Sequence, residues 1–170
     1  MPRGIFRLKQ VYEEQLSGNW STKGDVWLSP SPFLSPGPAP FGYFGGGYTP
    51  SAYLTTVDRI DYTNDTATAS VKGPLSIARG YVAATSSSSF GYFGAGLPFS
   101  AKLDRIDYSN DSVTALAKGN LSISVYNASA TGNASFGYFG GGAPGTKSTV
   151  DRIDYSNDTA TASPKGPLTV

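Results

Sequence analysis

The run FGYFGGG at residues 41 to 47 returns as FGYFGAG at 90 to 96 and as FGYFGGG at 136 to 142. Each copy leads into a longer phrase: TVDRIDYTNDTATASVKGPLS from Thr56, KLDRIDYSNDSVTALAKGNLS from Lys102, and TVDRIDYSNDTATASPKGPLT from Thr149. A phrase that recurs every 46 to 49 residues is one supersecondary unit copied along the chain, so the fold is decided by how such units stack. The spacing then separates scaffold from loop. Asp58 to Gly73, Asp104 to Gly119 and Asp151 to Gly166 have one length, and so do Gly73 to Phe90 and Gly119 to Phe136. Only the stretch between FGYF and DRIDY varies, at Tyr48 to Thr55, Leu97 to Ala101 and Ala143 to Ser148. Variable loops on a constant scaffold lie on one side of a repeat fold and are where binding usually resides. Their aromatic residues Tyr48, Tyr53 and Phe99 are therefore the candidate ligand-binding residues, suited to stacking on a sugar.

The residues of the unit read as short strands. Phe-Gly-Tyr-Phe is aromatic and ends in glycines, which suits a buried strand stopping at a turn with positive φ. TVDRIDY alternates and runs into Ser/Thr-Asn-Asp, whose short side chains cap their own backbone. Thr-Ala-Thr-Ala-Ser reads as a third strand closed by Lys-Gly-Pro, and Val82 to Thr85, with its counterpart Ala128 to Thr131, as a fourth. The expectation is an all-β domain of four-stranded antiparallel repeats (41–89, 90–135, 136–170) with FGYF on an inner strand. A three-lobed β-trefoil or β-prism is the alternative, because three copies suit it. The first copy has prolines where the Val82-type strand would precede Phe41, and the last stops at Val170. Unpaired edges of this kind predict an oligomer or a strand exchanged with a neighbour.

Composition excludes several functions. Charged residues make up 15% of the 170-residue chain and nearly balance at +1, so no basic face for nucleic acid is expected. Cysteine and histidine are absent, which removes thiolate nucleophiles, the common zinc ligands and the usual neutral-pH base. The start, MPRGIFRLKQVYEEQ, lacks the apolar core of a secretory signal, and no stretch is long and apolar enough for membrane insertion. The remaining catalytic constellation is a carboxylate pair, Asp58 with Asp61, repeated at Asp104/Asp107 and Asp151/Asp154. An active site is normally single, so a pair present three times reads as turn caps and Asp-Arg pairing between strands. Oxygen ligands at Asp61, Asn64 and Asp65 lack the calcium-loop pattern and read as an Asx turn. GYFGGG has no following Lys-Ser/Thr to make a phosphate loop. Neither an enzyme nor a bound metal or cofactor is expected.

The unit resembles a kelch repeat in order and spacing. Tyr43-Phe44-Gly45-Gly46 stands at the strand ending in a glycine pair, Val57 with Ile60-Asp61 at the second element, and Gly73-Pro74-Leu75 through Arg79 at the last. Where that pattern has its Trp this chain has Ala67, Val113 and Ala160, and Val125 is the counterpart of Arg79. The resemblance implies a propeller-like arrangement, and since propellers use roughly 4 to 8 blades, three copies would be closed or extended by oligomerisation. The whole phrase FGYFGGG…TVDRIDYSNDTATAS…KGPLS also resembles repeats in structural and tail-associated proteins of marine bacteriophages, as RLKQVYEEQLSGNWSTKGD resembles segments that precede them. This implies a virion component, assembled in the host cytoplasm.

Ahead of the repeats, Leu8, Val11, Tyr12 and Leu16 fall on one face of a short helix that Gly18 would end. A helix of about ten residues is marginal alone, so it must pack on something. With Trp20 and Trp27, these residues make 1–28 a docking segment, or in the alternative a cap on one end of the repeat core, joined by a proline-rich linker (29–40) to the three-repeat domain (41–170). The reading is a non-enzymatic phage tail or appendage protein, held to other virion proteins through residues 1–35 and displaying its loops. The alternative is a lectin-like host-recognition module.

Overall fold

The computed structural model describes residues 40 to 169, within a unit that spans Pro38–Val170. The docking segment 1–28 with its helix, and all but Pro40 of the linker, lie outside the described residues. Every regular element described is extended, apart from one 3-10 turn at Tyr155–Asn157. The strands are β1 (Phe41–Gly45), β2 (Tyr48–Thr49), β3 (Ala52–Tyr53), β4 (Val57–Asp61), β5 (Ser70–Val71), β6 (Ala83–Ser86) and β7 (Phe90–Gly94). They continue as β8 (Leu103–Asp107), β9 (Leu116–Ala117), β10 (Ser129–Gly132), β11 (Phe136–Gly140), β12 (Val150–Asp154) and β13 (Ser163–Lys165). No helix among the described residues is long and apolar enough to cross a membrane.

The second and third units are four-stranded antiparallel meanders, β6-β7-β8-β9 and β10-β11-β12-β13, with the FGYFG strand inside each. The first has three strands, β1-β4-β5, plus the separate β2-β3 hairpin in its variable loop. The register is the same in each: Phe41 pairs with Asp61, Phe90 with Asp107 and Phe136 with Asp154. None of the sheets closes on itself. The strand read at Val82 to Thr85 pairs with β7, so it opens the second sheet rather than completing the first. The third strand is a correction: it begins at Ser70, Leu116 or Ser163, not at the preceding Thr-Ala-Thr. The Asn-Asp turn runs on through Thr66, which donates to Asn64, and Ala67, whose N–H donates to the Asn64 carbonyl. Those bonds hold the backbone in a turn where alternation alone reads as strand.

Two hydrophobic clusters hold the units together, and each lies between successive sheets. Val57 and Leu75 meet Phe93, Ile106 and Ala115 in one; Tyr92, Leu103 and Leu121 meet Phe139, Ile153 and Ala162 in the other. The period of two along a strand explains this. On β7 and β8, Tyr92, Gly94, Leu103 and Arg105 face the following unit, while Phe93, Asp104 and Ile106 face the preceding one. The strand glycines are sockets for the next ring. A Cβ on Gly45 would lie 2.8 Å from the Phe93 ring, and one on Gly94 would lie 2.9 Å from that of Phe139. A three-lobed closure would bury the outer faces of the first and third units as well, yet Phe44 is 65% exposed and Leu168 47%. The described chain is therefore an open row of three units.

A polar joint repeats beside each cluster. Tyr43 Oη and Arg59 Nη1 donate to one oxygen of Asp111 at 2.9 and 2.8 Å, with Lys72 Nζ 3.4 Å from the other. Tyr92, Arg105 and Lys118 converge on Asp158 in the same way, at 3.1, 2.8 and 3.2 Å. The rings of Tyr43 and Tyr108 stack at 5.1 Å, and those of Tyr92 and Tyr155 at 4.9 Å. The expected Asp-Arg pairing between neighbouring strands is thus corrected. Arg59 and Arg105 reach forward to the Asn-Asp turn of the next unit, because Asp58 and Asp104, one residue earlier, point backward. Looking backward, Asp104 accepts from the N–H and hydroxyl of Ser76 and from Arg79 at 2.8 Å, and Asp151 accepts from the N–H and hydroxyl of Ser122.

Candidate functional site

The variable loops bring two short chain segments up beside them. Gly47 N–H donates to the Arg79 carbonyl at 2.8 Å, and Gly80 and Leu97 exchange both backbone bonds, so Arg79 to Tyr81 is wedged between the first and second loops. Tyr126 exchanges both bonds with Ala143 of the third loop, and Gly96 N–H donates to the Val125 carbonyl. The outcome is a continuous row of rings: Tyr53, Tyr48, Tyr81, Tyr126 and Phe99. Successive centroids stand 5.2, 6.4, 6.3 and 5.5 Å apart, tilted or stacked at the Tyr48 end and edge-on at the Phe99 end. Tyr48, Tyr81 and Phe99 are 55%, 48% and 58% exposed. Rings of this size left open to water in one contiguous row are uncommon except where something docks.

Tyr48, Tyr53 and Phe99 are thus brought together, and they are part of a larger surface. Tyr81 and Tyr126 were not legible as members. They stand in the run of constant length rather than in the variable loops, and they are offset by one residue, Gly80-Tyr81 facing Tyr126-Asn127 in the alignment of copies. Tyr81 has φ 59, close to the 54 of its counterpart Asn127. Asparagine tolerates that region, while a residue with a bulky side chain gives up about 1 kcal/mol or more there. Strain held at a non-glycine residue in the middle of the row makes Tyr81 a candidate functional position.

The carboxylates do not form an acid–base pair. Residues three apart on a strand point to opposite faces, so Asp104 is buried against the first unit while Asp107 caps its own turn. Asp61, Asp107 and Asp154 each accept from the side chain and N–H of Thr63, Ser109 or Ser156, bonds that hold their carboxyls below the ordinary range. Asp111 and Asp158 are occupied by Tyr, Arg and Lys, and no group of three acidic side chains able to hold a metal is found among the described residues. The docking residues Leu8, Val11, Tyr12, Leu16, Trp20 and Trp27 lie outside the described residues. No protein-family model matches the chain, and neither does any curated protein.

Proposed function

We propose that this chain is a non-enzymatic interaction protein of a bacteriophage particle, from its tail or an external appendage, whose repeats display the aromatic row to a host surface. Residues 1–35 hold it to other virion proteins, and its units pack in a kelch-like, propeller-like manner that is extended by oligomerisation. The observation that carries the display is the row itself: five rings drawn from two loops and two linking segments, with Tyr48, Tyr81 and Phe99 about half exposed. The virion part rests on the resemblance of the repeat phrase to phage structural repeats.

The chemistry of the row favours host carbohydrate as its target, the lectin-like reading. Tyrosine offers a flat apolar face together with a hydroxyl, and a pyranose has an apolar face rimmed by hydroxyls. Binding of the full chain to host envelope glycans tests this by calorimetry. Tyr81→Asn removes the central ring and installs the residue that already occupies the matching backbone conformation at Asn127, so the fold is kept. A loss of affinity of roughly tenfold is expected, the equivalent of about 1.4 kcal/mol. Unchanged binding by Tyr81→Asn and by Tyr48→Ala would remove the row from the function.

A further inference from the structure

We infer that the two open end faces of the repeat row fit each other, and that copies of this chain join head to tail through a third joint like the two inside it. The forward face of the third unit keeps the three donors of a joint, but among the described residues no carboxylate accepts from them. Tyr138, Arg152 and Lys165 are the counterparts of Tyr43, Arg59 and Lys72. Arg152 already lies over the Phe136 ring at 4.3 Å, the pose of Arg59 over Phe41 at 4.0 Å and Arg105 over Phe90 at 4.1 Å. The sockets are empty as well. A Cβ on Gly73 would strike the Val113 carbonyl and one on Gly119 that of Ala160, whereas one on Gly166 would meet none of the described residues within 4 Å. Among the described residues no aromatic ring fills the socket at Gly140, and Leu168 is 47% exposed where Leu75 and Leu121 are 2% and 3%.

The backward face of the first unit supplies what is missing. Asp65 is the counterpart of Asp111 and Asp158, which are 8% and 9% exposed, yet it is itself exposed. Phe44 stands 65% exposed where Phe93 and Phe139 are buried to 3% in the glycine sockets. Tyr62, 56% exposed, is the ring that Tyr108 and Tyr155 use to stack on the unit before them. One face is basic with holes, and the other is acidic with knobs.

The occupant that fits both is a second copy of the chain. Tyr138, Arg152 and Lys165 of one copy would take Asp65 of the next, with Phe44 of that copy over Gly140. Such a contact is heterologous: it gives a ring if the rotation per chain closes, and a filament if it does not. The donors are held in place before the partner arrives, which lowers the ordering cost of the joint.

Sedimentation velocity of the full chain over a range of concentrations is the test. Assembly beyond the monomer, growing with concentration, is expected. Gly166→Leu blocks only the forward face, and its Cβ would meet none of the described residues within 4 Å; Asp65→Lys blocks only the backward face. Each variant alone is expected to stay monomeric with an unchanged melting temperature, and an equimolar mixture to give dimers and nothing larger, through the one forward and one backward face left intact. Should Gly166→Leu not fold, Lys165→Glu serves on the same face. A monomeric parent chain would overturn the inference, whether water or residues 1–39 cover the first face. Self-assembly that survives in both variants, or a mixture that stays monomeric, would overturn it too.

Discussion

Arg79 has no exposed surface, and its guanidinium is fully spoken for at the tips. It donates to the carbonyls of Ala95 at 3.0 Å, Lys102 at 2.6 Å and Phe93 at 3.3 Å, and to Asp104 at 2.8 Å. Burial pulls its pKa down, and Asp104 acts against that. Asp104 is equally buried, so removing the arginine strands a charge. Arg79→Ala is expected to cost about 3–5 kcal/mol, read from urea unfolding. A cost below about 1 kcal/mol would mean that Ser76 alone suffices for Asp104. The next joint is built without this residue. Val125 stands in its place, and a cavity of about 10 Å³, room for about one water, opens between Val125, Phe139 and Asp151. Asp151 is 2% exposed, and among the described residues its carboxylate accepts only the two bonds from Ser122. The two joints therefore differ in strength at this one position.

At the scale of the strand, the joint between Tyr43 and Asp111 makes the stability of the fold depend on pH at both ends of the scale. Burial first, and then the bond to Asp111, push the Tyr43 hydroxyl up to about 12. Burial also acts to raise the Asp111 carboxyl, but Tyr43, Arg59 and Lys72 together outweigh it and its pKa is lowered. A depressed carboxyl stabilises the fold above its ordinary value of 3.8 and loses that contribution as the pH falls below it. A raised phenol stabilises below 10.0 and loses its contribution between there and about 12. Melting temperature against pH should then show a plateau bounded on both sides. Asp111→Asn should lower the plateau and flatten its acid limb; an acid limb that is unchanged would place the acid sensitivity elsewhere. The five-residue strands FGYFG and VDRID could be read from alternation and glycine alone. The joints could not, because each acceptor belongs to the following copy, and a motif read one copy at a time shows Arg59 only its own neighbour Asp58. The aromatic row was half legible for a similar reason: Tyr48, Tyr53 and Phe99 stand where length varies, while Tyr81 and Tyr126 are hidden in the constant run.

Over the whole molecule, the repeats are held by nearest-neighbour contacts, so their folding is local to the row. Attachment is expected to depend on a different part of the chain. Trp20→Ala combined with Trp27→Ala should release the protein from its particle while leaving the melting temperature of the repeats unchanged, since anchors of this type carry on the order of 2 kcal/mol each. Particle proteomics and thermal melts of the same variant check both halves. Retention in the particle together with a lowered melting temperature would make the segment a cap on its own core. The joints also carry a direction. In each one the three donors come first in the chain and the carboxylate comes later, Tyr43 preceding Asp111 by 68 residues. During synthesis a finished unit therefore leaves the ribosome with its cations and phenol waiting, and its forward face is sealed only when the turn of the unit behind it emerges. The newest completed face is always the basic one, so the growing chain presents the same unfinished end at every stage, differing only in how many sealed units precede it.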